Sequence, residues 1–188
     1  MNIRTYLIAV GTIWMTSEIL LVFFRRSGAD STSHDSGSIV WLNAVIYGSI
    51  ALAIFIGFTS IGRFRGLESL LAWAGLFFIL LGLAIRWTAI LTLRRFFTVN
   101  VAIQQDHRIV QTGLYRIVRH PSYSGTILSF FGLGLAQSNW IALLLLVIPI
   151  LFAFIKRIEL EEDALVQKFG SQYDDYRRST WRLIPWIY

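Results

Sequence analysis

Arg119 and His120 stand directly before Pro121-Ser122-Tyr123-Ser124-Gly125, so two cationic-type side chains meet the start of an apolar run. Proline suits the first position of a helix, where its missing N–H is not needed, and it drives the preceding residue into extended backbone. The sequence therefore predicts a helix from Pro121 towards Leu135. In its first turn the backbone N–H groups of Ser122 and Tyr123, beside Arg119 and His120, suit a carboxylate or phosphate. The alternative is that Arg119 and His120 only flank a membrane helix at the interface, as basic residues often do.

A second polar cluster runs from Lys156 to Leu165. Arg157 and Glu161 share a helix face at i,i+4, and Glu162 shares one with Ile158 and Leu165. A solvated, salt-bridged helix has this pattern. So does a pocket in which a carboxylate takes hydroxyls or an ammonium while arginines hold a carboxylate. S-adenosylmethionine carries that set of polar groups. Two further charges, Glu18 and Arg86, interrupt apolar runs, and charges within a membrane face a partner or a cavity. Glu18 could pair with Arg25 or another cation. Arg94, at i+8 from Arg86, extends the same cationic face.

The elements that must position these residues are membrane helices. With 55% hydrophobic residues, mean hydropathy +0.60 and seven Trp, 188 residues are too apolar for a soluble domain. Apolar runs at Tyr6 to Phe24, Ile39 to Ile61 and Leu70 to Leu93 are each near the roughly 20 residues a spanning helix needs. Tyr123 to Leu135 and Trp140 to Ile155 form a further pair across the turn Gln137-Ser138-Asn139. The first of that pair is short for a span, which predicts that it starts below the membrane surface. The expected fold is all-α and polytopic, with about five transmembrane helices. Ser27 to Ser38 reads as a loop. The N-terminal run is too long for a signal-peptide core and lacks a small-residue cleavage site, so it reads as a retained helix.

The chain has no Cys and three scattered His, which excludes disulfides and thiolate chemistry and argues against a metal site. Arg94 to His120 holds five Arg and one Asp, and Lys156 to the end holds six basic and six acidic residues. Both segments flank the last hairpin and lie on one side, which the positive-inside rule makes cytoplasmic. Five crossings then leave the N-terminus outside. The net charge of +6 is confined to short segments between helices, where arginines meet lipid headgroups or a small anion rather than nucleic acid.

Gly113-Leu114-Tyr115-Arg116-Ile117-Val118-Arg119-His120-Pro121-Ser122-Tyr123-Ser124-Gly125, followed by Arg157, Glu161-Glu162, Leu165, Phe169-Gly170, Tyr173 and Tyr176, resembles the isoprenylcysteine carboxyl methyltransferase family. Phe96-Phe97-Thr98 and Asp106-His107-Arg108-Ile109-Val110 resemble its bacterial members. The resemblance implies a single integral membrane methyltransferase domain over 1–188, with two N-terminal helices in 1–66 and a family-like core in 67–188. It implies an S-adenosylmethionine site at the cytoplasmic side, formed by Tyr115, Arg119, His120, Pro121, Tyr123, Glu161 and Glu162. Arg86, Arg94 and Arg157 are the candidates to orient an acceptor carboxylate, which attacks the sulfonium methyl group without a general base. The expected acceptor is a lipid-tailed small molecule or a prenylated substrate, in a bacterial inner membrane. Leu114 departs from the Pro of many members, and the extra N-terminal helices of the eukaryotic enzymes are lacking. Sterol-reductase-type enzymes, which use NADPH, carry a related Arg-His-Pro stretch, but an acidic residue is expected after its glycine and Thr126 stands there. A non-catalytic membrane binding protein would leave the Arg119-His120 and Glu161-Glu162 clusters without a ligand.

Overall fold

The computed structural model describes residues 2–24, 32–33, 37–97, 102–103 and 108–188. The α helices are α1 (Ile3–Phe24), α2 (Ser38–Gly57), α3 (Glu68–Leu93), α4 (Pro121–Ala136), α5 (Trp140–Phe169) and α6 (Ser171–Ser179). The expected all-α architecture holds, apart from a two-residue antiparallel pairing of Thr32–Ser33 with Ala102–Ile103. Most of the loop expected from Ser27 falls outside the described residues, and Ser38 already belongs to α2.

Five helices form where the five apolar runs predict them, yet not all have the dimensions of a span. Among the described residues, α2, α3 and α5 are long and apolar enough to cross a membrane. The 16 residues of α4 reach only about 24 Å, short of a hydrocarbon core of about 30 Å. Arg4, Glu18 and the interspersed Thr and Ser residues dilute α1. Outward-facing Val40, Phe55, Phe77 and Ile148 are exposed, a surface that suits lipid and not water.

Glycines set the position of α4. Gly75 and Gly82 on α3 lie two turns apart, as do Gly125 and Gly132 on α4, so each pair occupies one face. A Cβ on Gly75 would lie 2.5 Å from the Gly132 carbonyl oxygen, and one on Gly125 would lie 2.5 Å from that of Gly82. Only glycine allows the two backbones this close, which is how helices gain packing where lipid gives no hydrophobic drive. α3 and α4 consequently form the most extensive helix pair, while α2 packs on α5. Leu146, Ile150, Ala153 and Phe154 of α5 complete the core with Ile79, Phe130 and Trp14.

The expected turn between α4 and α5 is built on Asn139. Its side chain accepts from the Ile141 and Ala142 N–H groups at 3.0 and 3.1 Å and so caps α5. Its amide also donates to the Ile61 carbonyl at 2.7 Å, which ties the connection after α2 to this turn. At the other end Gly170, with φ 53, stops α5 and lets α6 fold back. The chain beyond α6 then runs parallel to residues 117–120.

Candidate active site

The backbone at Arg119 and His120 is fixed from two sides. Pro121 is the first residue of α4, as its chemistry predicts, with His120 at the N-cap. Arg119 N–H donates to the Trp181 carbonyl at 2.7 Å and His120 N–H to that of Arg182 at 3.1 Å, while Trp181 N–H returns to Ile117 at 3.0 Å. The Ser124 hydroxyl donates to the Leu183 carbonyl at 2.6 Å and that of Tyr176 to the Tyr115 carbonyl at 2.8 Å. One expectation needs correction: the Tyr123 N–H does not await an anion, because it donates to the His120 carbonyl at 3.0 Å. The tight turn that begins the helix uses it.

The anions facing this cationic turn come from α5. Glu162, 2% exposed, accepts from Arg119 Nε at 2.8 Å and from Arg182 Nε and Nη2 at 3.0 and 2.9 Å. The Nε2 of His120 lies 3.3 Å from the same carboxylate, and its Nδ1 lies 3.5 Å from Glu161. Burial alone would push the imidazole down, but the hydrogen bonds and charges of Glu161 and Glu162 outweigh it and raise His120 above its ordinary value. With a carboxylate at each ring nitrogen, the doubly protonated ring is the form that satisfies both. Glu161 also accepts from the Tyr123 hydroxyl and from Arg157 Nε at 3.2 Å. The Tyr123 ring stacks on His120 with centroids 5.8 Å apart. Burial pushes the phenols of Tyr115, Tyr173 and Tyr176 up, so they stay neutral donors.

A cavity of about 590 Å³ opens beside these groups. Its polar wall includes Tyr115, Arg119, His120, Tyr123 and Glu161, and its apolar wall includes Trp14, Ile46, Phe130 and Leu133. Arg86 also lines the cavity. Its Nε and Nη2 each donate at 2.6 Å to Glu18, and its Nη1 donates at 2.9 Å to the hydroxyls of Ser122 and Thr126.

The sequence-predicted residues thus separate. Tyr115, Arg119, His120, Tyr123, Glu161 and Arg86 meet at the cavity. Glu162 turns from the lining towards Arg119 and Arg182, and Pro121 is buried at the helix start. Arg157 is 2% exposed, held to Glu161 and the Ser38 hydroxyl. Arg94 does not extend the Arg86 face: with φ 52 it leaves the helix, and it is exposed beside Thr92 and Thr112. Glu18 pairs with Arg86; its suggested partner Arg25 lies outside the described residues, as do Thr98, Asp106 and His107. Sequence reasoning missed Arg182, which sits in a tail without periodic pattern. It also missed Ser122 and Thr126, although hydroxyls at i,i+4 on an apolar helix are a readable signal for a buried cation.

Fold and cavity together define a helical integral membrane protein with a chamber lined by both polar and apolar side chains. The chain belongs to the isoprenylcysteine carboxyl methyltransferase (ICMT) family, whose sequence model matches residues 73–167. Protein-S-isoprenylcysteine O-methyltransferase A of Arabidopsis thaliana is 31% identical over 179 residues, covering 89% of this chain and 90% of that one. Methyltransferase B of the same plant is 36% identical over 115 residues, or 60% of this chain and 58% of the relative. A solved structure of the eukaryotic intramembrane Ras methyltransferase ICMT superposes with TM-score 0.60 at 28% identity, covering 83% of this chain and 55% of that one. The chain thus spans little more than half the length of two of these relatives and nearly all of the third. All three are eukaryotic proteins, so the comparisons support the family and not the bacterial-type membership expected from the upstream motifs.

Proposed function

We propose that this protein transfers a methyl group from S-adenosylmethionine to the carboxylate of a prenylated or similarly lipid-tailed acceptor, as the names of its relatives imply. The observation that carries this reading is the single chamber, in which Arg119, His120, Tyr123 and Glu161 share one space with Trp14, Ile46, Phe130 and Leu133. A hydrophilic cofactor and an apolar chain need those two walls side by side.

The residues fit the cofactor at Glu161. Its side chain is 22% exposed at the cavity, and a carboxylate retains acceptor capacity beyond its bonds to Tyr123, Arg157 and His120. That capacity suits an ammonium or ribose hydroxyls. When bound, S-adenosylmethionine supplies an electrophilic methyl group on a cationic sulfonium, which a carboxylate attacks without losing a proton first. The work left to the protein is to bind, orient and exclude water. Arg86 orients the acceptor carboxylate, its guanidinium set by Ser122 and Thr126. His120, held between two carboxylates, positions Glu161 and does not act as a base. The apolar wall takes the tail and keeps the reacting groups dry.

The arginine-rich flanks of α4 and α5 support a cytoplasmic cofactor site. The test uses the full chain in lipid nanodiscs. Calorimetry should detect S-adenosylhomocysteine binding, and labelled methyl groups should pass to an S-prenylated cysteine in a base-labile ester. Absence of S-adenosylhomocysteine binding overturns the reading.

A further inference from the structure

Arg86 presents two different edges. Its Nη1 side is anchored to the protein frame, through the Ser122 and Thr126 hydroxyls of α4. Its Nε and Nη2 side forms the parallel fork that recognises a carboxylate, and both Glu18 oxygens occupy it at 2.6 Å. These bonds use all but one of the guanidinium N–H groups. An arriving acceptor carboxylate therefore finds its receptor filled by another carboxylate. The two partners are not equally buried, and Glu18 has one further donor, Trp14 Nε1 on its own helix at 3.3 Å. The Arg86 side chain is 11% exposed and that of Glu18 31%, and both line the cavity. Glu18 belongs to α1, which packs sparsely on α3 and lies outside the family match at residues 73–167.

We propose that Glu18 is an internal stand-in for the substrate: it occupies the acceptor-carboxylate subsite on Arg86 while no acceptor is bound and yields the fork when one arrives. This rests on the carboxylate-acceptor reading above. A guanidinium this buried needs an anion at all times, because an unpaired buried charge is strongly unfavourable. Glu18 supplies one that does not diffuse away. It also makes Arg86 selective, since a small free anion must displace Glu18 by charge alone. A lipid-tailed carboxylate adds the burial of its tail against Trp14 and Phe130. Glu18 is thereby a specificity-determining residue for tailed over untailed carboxylates.

The test measures equilibrium binding, not turnover, of an N-acylated S-prenylcysteine and its primary amide to the full chain in nanodiscs. Glu18→Gln should tighten the carboxylate by about 5-fold or more, the low end of ordinary coupling between linked binding events. The amide, which competes poorly for the fork, should change little. Glu18→Asp, too short to reach both guanidinium nitrogens, should shift the carboxylate in the same direction by less. It decides the matter if Glu18→Gln fails to fold. Unchanged or weaker carboxylate binding overturns the proposal and makes Glu18 a support for Arg86. Equal tightening of carboxylate and amide also overturns it, because the cavity has then merely widened. S-adenosylhomocysteine titrated on the same samples tests the methyltransferase reading separately: its failure to bind sinks that reading, while the carboxylate-to-amide contrast still scores Glu18.

Discussion

Glu161 and Glu162 are neighbours on α5, yet they build two different regions. Glu162 is enclosed by Arg119, His120 and Arg182, and it joins the start of α4 to the C-terminal tail. Glu161 shares His120 with it but faces the cavity, among Tyr123, Arg157 and open space. One residue step turns a helix by about 100°, enough to give adjacent carboxylates separate company. A buried charge ringed by opposite charges is a structural joint. One with acceptor capacity left over, on the wall of a chamber, is the group that can hold a ligand.

The largest effect expected from this contrast is on stability. Glu162→Ala leaves Arg119, Arg182 and His120 facing one another without their counter-ion, and removing one partner of a buried pair costs about 3 to 5 kcal/mol. Denaturant unfolding in mild detergent should show it, with Glu161→Gln clearly more stable than Glu162→Ala. Equal losses in both variants would erase the distinction. The next effect falls on binding. Glu161→Gln should weaken S-adenosylhomocysteine by about 1.5 to 3 kcal/mol while the protein stays folded, the range for a charged hydrogen bond. Calorimetric titration with wild-type affinity would move the cofactor away from Glu161. The smallest effect is in the pH dependence of the joint itself. His120 titrates above its ordinary value of 6.5 in the folded protein, so its stabilising contribution is complete below that value and is lost as pH rises through the folded-state value. The gap in melting temperature between wild type and His120→Gln should narrow as the pH is raised above 6.5. A gap that widens would mean that the ring is buried neutral.

Helices α1 to α5 were legible because apolar runs of the right length are a strong signal, whereas the polar α6 was not. Pro121 marked the start of α4 to the residue, since proline acts through local backbone chemistry, while Asn139 was legible only as part of a turn and not as the cap of α5. The Arg157 to Glu161 pair was legible too, being one helical turn apart. Arg86 with Glu18, 68 residues away, was not, because nothing local selects one distant cation over another. Arg94 misled for a related reason: the i+8 argument assumes that the helix continues, and here the backbone turns out of it at that residue. The role of Glu162 depended on Arg182, which reaches it only because the tail pairs along residues 117–120 through backbone bonds that side-chain patterns do not announce.

The glycine contact between α3 and α4 has a mechanical consequence. Two backbones in direct touch at Gly75 with Gly132 and at Gly82 with Gly125 have no side chains to slide over, so the pair shifts only as one stiff beam. Arg86 rides on one side of that beam and Ser122 and Thr126 on the other, which keeps their spacing constant whatever else in the molecule moves. Among the described residues α1 shows no such seam and meets the rest through side chains, among them Leu7 and Val10 on the core, the Trp14 ring on Phe130, Tyr6 on Trp73 and the carboxylate of Glu18 on Arg86. The chamber therefore has one rigid side, the α3–α4 pair, and one side, α1, that is joined to the rest by side chains alone.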